Sequence, residues 1–205
     1  MDADKAAREL QVIRELMQRP VRYSTMSGLS GILAGLAALT GVLVDRIVSV
    51  RLVHDPVRAV EINMGVWAGV LVLAFTAAVL LTRIRERRQG MPFWSEVKKR
   101  ILLTILPPFV AAVGLTLVVV YRAWAQGGST AWGLIPAIWM LFYGVALWQV
   151  GLFSPVEVRL LGMAFILAGL AAGAFLQGCP YLALGATFGG FQIVYGIVVW
   201  IRHGG

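Results

Sequence analysis

Four polar side chains, Asn63, Tyr143, Gln192 and Tyr195, lie inside long apolar stretches of the chain. All four are neutral at pH 7, so the chemistry open to them is hydrogen bonding rather than ion handling. Gln192 falls near the middle of the last apolar stretch, and Tyr195 follows it by about one helical turn. Two roles suit such a group. One is an interhelical hydrogen bond, which contributes about 0.6–2 kcal/mol in an apolar solvent. The other is the polar lining of a small cavity for a neutral or apolar solute. The nearest ionisable residues, Asp45, Glu61, Arg122, Glu157 and Arg159, are read at the ends of the apolar stretches. That placement argues against a proton-coupled pump or a carboxylate ion site, either of which needs a charge at depth.

Covalent and metal chemistry find little support in the same sequence. The chain has 2 histidines, His54 and His203, and 1 cysteine, Cys179. That set is too sparse for a His/Cys metal cluster, for a pair of haem-ligating histidines, or for a disulfide. No phosphate-cradling glycine loop occurs. No catalytic, cofactor-binding or metal-binding residue is therefore expected, and the chain reads as a non-enzyme. The fourth apolar stretch is rich in large side chains (Trp139, Met140, Phe142, Tyr143, Trp148), which suits packing, lipid contact or an apolar pocket.

The elements that must position these groups follow from composition. Of 205 residues, 59% are hydrophobic and 14% charged, with a mean hydropathy of +0.81. Water-soluble domains carry about 25% charged residues, and this chain has too little polar surface to cover its apolar content in water. Six apolar runs, at about 26–44, 62–81, 101–120, 132–150, 160–176 and 181–201, approach the ~20 residues that cross a bilayer as a helix. The fold class is thus an all-α membrane protein, six transmembrane helices arranged as three helical hairpins because short loops make sequential spans neighbours. Residues 1–22 form a separate amphipathic helix, with Ala6, Leu10, Ile13 and Met17 on one face, ahead of a transmembrane domain at 23–205. That first segment lacks the apolar core and cleavage pattern of a signal peptide.

Orientation comes from charge. Between the second and third runs lie Arg83, Arg85, Arg87, Arg88, Lys98, Lys99 and Arg100 against Glu86 and Glu96. A short basic loop between apolar runs faces the cytosol. Both termini are then cytoplasmic. Fourteen of the 18 basic residues fall inside, and four (Arg46, Arg51, Arg58 and Arg122) fall outside. The net charge of +8 is accordingly read as affinity for a membrane surface and not for nucleic acid. The seven loop residues form a candidate cytoplasmic contact surface for a protein partner.

Small residues suggest close packing. Gly31 and Gly35, Gly65 and Gly69, Ala168, and Gly185 and Gly189 follow small-xxx-small patterns that let backbones approach in lipid, within the bundle or across the seam of a homodimer or larger membrane complex. The heptapeptide ILAGLAA occurs twice, at Ile32–Ala38 and Ile166–Ala172, an echo consistent with coincidence or duplication. Pro107 and Pro108 in the third run and Pro136 in the fourth are expected to kink a helix or open one.

Three stretches, IRELMQRPVRYSTMSGLSGILAG (13–35), IPAIWMLFYGVAL with FSPVEVRLLGMAFILAG (135–169), and FGGFQIVYGIVVWIRHGG (188–205), resemble a group of uncharacterised bacterial small membrane proteins. These begin with a short charged helix, end in a basic residue followed by paired glycines, and lie beside genes for winged-helix regulators. The resemblance implies a bacterial inner-membrane location and no residue roles. Where such proteins often carry His before the last Ile–Val–Tyr, this chain has Gln192. The expectation is an accessory, sensory or structural subunit, with a small transporter or channel as the alternative.

Overall fold

A computed structural model describes residues 28–51, 54, 56–88, 96–126, 130–176 and 183–203. The expected helix at 1–22, the centre of the basic loop (89–95) and Cys179 lie outside the described residues. Every element described is helical: α1 (Gly28–Arg51), α2 (Pro56–Arg88), α3 (Glu96–Gln126), a 3₁₀ turn (Thr130–Leu134), α4 (Ile135–Val150), α5 (Val156–Phe175), a π-helical segment (Gly185–Phe191) and α6 (Gln192–His203). Five of the helices are long and apolar enough to cross a membrane, which marks a multi-pass membrane protein.

The helices outrun the apolar runs that predict them. The first run ends at residue 44, yet α1 continues through Asp45 and Arg46 to Arg51. Backbone hydrogen bonding has no reason to stop where side chains turn polar, and no glycine or proline intervenes before Pro56. That proline opens α2, a position where its missing N–H costs nothing. At 33 residues α2 is about 50 Å long, so its ends project past a ~30 Å hydrocarbon core. Pro107 and Pro108 lie well inside α3, whereas Pro136 sits in the first turn of α4.

Packing follows two seams of unlike construction. α1 buries a stripe of small residues, Gly28, Gly31, Gly35, Ala38 and Gly41, that ends in Asp45. Its first part lies against the last helix and the π segment, where a Cβ on Gly28 would collide with the Gly196 carbonyl and one on Gly35 would stand 2.8 Å from the Gly189 carbonyl, whereas Gly41 and Asp45 face α2. α4 and α5 make the other seam. There Gly144 and Gly162 each leave only 2.8 Å between a notional Cβ and the other's carbonyl oxygen. With lipid as solvent, apolar burial does not draw helices together, so such backbone proximity supplies the dispersion contacts that do.

The neighbour relations differ from three successive hairpins. α1 packs on α2, and α3 packs on α4, as short connections predict. α5, however, packs chiefly on α4, and the last helix packs chiefly on α1. The glycine stripes explain the difference, because the smooth faces of α1 and α5 match the π segment with α6, and α4, respectively. α3 buries a single face and α2 has only a half-buried one, and both otherwise present exposed large apolar side chains. Gly65 and Gly69 point into open space with nothing within 4 Å, so this glycine pair, expected to pack a helix, packs none among the described residues. Ala168 is half-buried beside the tighter Gly169, and Gly185 makes only ordinary contact, 3.9 Å from Val42.

Candidate functional site

Tyr143 and Gln192 meet in the middle of the bundle. Tyr143 projects from α4, Gln192 begins α6, and the Gln192 Nε2 amide donates to the Tyr143 hydroxyl. The two residues are 49 positions apart in sequence, so the bond ties together helices that short loops do not. Gln192 is buried. Around the pair stand aromatic rings. Tyr143 lies edge-on to Phe165, centroids 4.9 Å apart, and tilted against Phe188 at 5.3 Å. Phe165 in turn meets Phe188 at 5.0 Å and Phe191 at 5.7 Å, both edge-to-face. Tyr195 and Trp67 pack on the same cluster, whose fully buried centre is Met140 and Phe165.

The π-helical segment sets this geometry. Gly185, Gly189 and Gly190 make the local sequence permissive, and the Thr187 hydroxyl donates to the Ala183 carbonyl at 2.7 Å. That bond competes with the ordinary helical ladder. The wider turn lets Phe188 and Phe191 reach Phe165 while Gly189 stays against α1.

Of the four polar residues singled out, the structure brings Tyr143, Gln192 and Tyr195 together and leaves Asn63 elsewhere. Asn63 lies toward the opposite end of α2 from Arg88, where its Nδ2 donates to Ser49 Oγ at 3.1 Å. The phenylalanines that complete the nest carry no signal in the sequence, since any apolar residue fits the same pattern. A double-mutant cycle checks the central bond. Tyr143→Phe and Gln192→Leu are expected to be non-additive, with a coupling of about 0.6–2 kcal/mol in unfolding from mixed micelles.

Asp45 is the ionisable residue whose burial the sequence does not announce. It is buried in the α1–α2 seam at 5% exposure, and the Trp67 indole N–H donates to its Oδ2 at 3.4 Å. Among the described residues no group of three or more His, Cys, Asp or Glu comes together.

The third feature is the basic end of the bundle. Glu86 is buried and ion-paired with Lys98, joining the C-terminal end of α2 to the N-terminal end of α3. Lys98 is therefore part of the scaffold more than of an exposed surface. Arg83, Arg87, Arg88, Lys99 and Arg100 are exposed around that pair; the Arg85 side chain lies outside the described residues. Arg202 pairs with Glu157 at 2.9 Å at the same end, and Arg159 stacks over Trp148 at 5.6 Å while donating to the Gly151 carbonyl.

No family profile, no curated protein and no solved structure matches this chain.

Proposed function

We propose that the chain is a six-span protein of the bacterial inner membrane with both termini in the cytosol. It serves there as an accessory, sensory or structural subunit that engages a protein partner through the basic end of its bundle. The observation that carries this reading is the Glu86–Lys98 ion pair. It joins the end of α2 to the start of α3, flanked by Arg87, Arg88, Lys99 and Arg100, each of them exposed. Exposed basic residues at such a junction suit recognition of an acidic partner, with lipid headgroups as their resting neighbours. The sixth span is the π segment with α6, and the distribution of Lys and Arg supports the orientation. The resemblance to small bacterial membrane proteins supports the location.

The test is a photo-crosslinking residue at position 88 or 100 in living cells. A discrete protein adduct that disappears on Arg87→Glu/Arg88→Glu, with the bundle still folded, is the expected result. Failure to trap any protein from either position overturns the reading.

A second reading, a small transporter or channel for a neutral or apolar solute, is favoured by one observation. The Tyr143–Gln192 bond adjoins a π-helical segment, and such segments recur at functional sites. Liposome flux abolished by Gln192→Leu would favour it over the subunit reading.

A further inference from the structure

We propose that the α1–α2 seam holds a small monovalent cation, an alkali ion of the sodium class, between Asp45 and Asn63. The inference goes beyond either functional reading above. Two polar contacts cross this seam as adjacent rungs. Trp67 Nε1 donates to Asp45 Oδ2 at 3.4 Å, and Asn63 Nδ2 donates to Ser49 Oγ at 3.1 Å. Asp45 and Ser49 are one turn apart on α1, as Asn63 and Trp67 are on α2, so the rungs lie about one helical pitch apart, ~5.4 Å.

Each rung is left incomplete in the same sense. Asp45 is 5% exposed, and a single indole N–H at the long end of hydrogen-bond range is its side-chain partner among the described residues. A carboxylate withdrawn from water takes up either a proton or a counter-charge, because one neutral donor does not replace its hydration. Asn63 Oδ1 is buried with no hydrogen-bond partner. An amide oxygen left so loses the solvation it had in water and gains nothing in return. Both deficits are of acceptors, and one cation between the rungs answers both.

The donor atoms define the ion. A carboxylate, an amide oxygen and a hydroxyl are hard oxygen ligands, which suit alkali and alkaline-earth ions over zinc or copper. One carboxylate matches one positive charge. A divalent ion would leave net charge buried in the seam and would call for more acidic ligands than the described residues bring together. The charged neighbours on the two helices, Arg46 and Arg51 on α1 and Arg58 and Glu61 on α2, are all exposed. Trp67 also packs on the central aromatic cluster, so an ion held at Asp45 steadies the seam next to Tyr143 and Phe188.

The experiment uses the full chain in lipid nanodiscs at about pH 8, with choline chloride as the baseline and total salt held constant. Thermal unfolding is followed by tryptophan fluorescence during sodium titration. Sodium is expected to raise the midpoint saturably, by about 5 °C or more at the plateau. Asp45→Asn is expected to remove the sodium response while remaining at least as stable as the parent in choline, since it deletes the buried charge. Asn63→Leu is expected to shift the sodium dependence to about tenfold higher concentration. No sodium response in the parent, or an undiminished response in Asp45→Asn, overturns the proposal. So does a parent that is stabilised by acidification in choline and is indifferent to sodium, because a proton would then be the neutralising species.

Discussion

Replacing Gly162 by valine is expected to separate α4 from α5 and to cost more stability than truncating a large buried side chain. A Cβ at this position would stand 2.6 Å from the Trp148 nitrogen, 2.8 Å from the Gly144 oxygen and 3.0 Å from the Trp148 Cα. All three are backbone atoms, so no side chain can turn aside to make room. The helices must move apart, and every contact along their seam is lengthened together. Overpacking of a core usually costs about 1–3 kcal/mol and occasionally more; here the obstruction is rigid backbone and a loss beyond that range is expected. The same seam turns through Gly151, where a Cβ would meet Arg159 within 2.9 Å, so the strain cannot be relieved at the connection. Gly69→Ala supplies the control. It has nothing within 4 Å, and it is expected to be neutral or to gain up to about 1 kcal/mol from helix propensity. Reversible unfolding in mixed micelles measures both. Equal behaviour of the two variants would show that the glycines of α5 are not held against backbone.

Phe165→Ala is expected to follow closely, at about 3–5 kcal/mol. Phe165 is 0% exposed and touches three aromatic rings from two other segments, Tyr143, Phe188 and Phe191. Truncation leaves a void bounded by three rings fixed on two different helical segments, which cannot all collapse into it. The aromatic pairs add about 0.5–1.5 kcal/mol each beyond simple contact. Phe165→Leu restores most of the volume and is expected to recover roughly half the loss. The π-helical segment should respond along with stability, because two of the three rings belong to it. Hydrogen exchange at residues 185–191 is expected to accelerate in Phe165→Ala and to remain protected in Phe165→Leu. Unchanged exchange there would separate the segment from the aromatic nest.

The parts of this architecture that depend on composition were open to inspection in the sequence; the parts that depend on which face meets which were not. Long apolar runs and the basic loop announce helices in lipid, and five such helices appear. Within them, Gly65–Gly69 and Gly31–Gly35 are equivalent as patterns, yet the first faces open space and the second faces another backbone. Spacing alone carries no information about the partner. The ILAGLAA echo was more informative than its length promised. Gly35 and Ala38 are buried while Leu33 and Leu36 are exposed, and Gly169 and Ala172 are buried while Leu167 and Leu170 are exposed. The repeat thus encodes one way of presenting a smooth face, used once against the last helix and once against α4. Gln192 and Tyr143 stood out because a polar group in an apolar run is conspicuous. Phe165, Phe188 and Phe191 did not, because phenylalanine is unremarkable in the same setting. The burial of Asp45 carried no signal for a related reason: a charge just past an apolar run does not say whether the helix, which runs six residues further, turns it toward a neighbour.

The seven residues from Gly185 to Phe191 also act as a phase adjuster. A turn of this kind accommodates one residue more than an ordinary α turn, and each residue of an α-helix subtends about 100°. Everything downstream is rotated by that amount relative to what an uninterrupted helix would give. Gly196 reaches Gly28 and Ile32, and Gln192 reaches Tyr143, only in the rotated setting. The last helix is consequently keyed by length as well as by composition: a lineage could exchange many of its side chains one at a time, but dropping a single codon from this heptad would swing the whole terminal segment out of alignment with both of its docking partners.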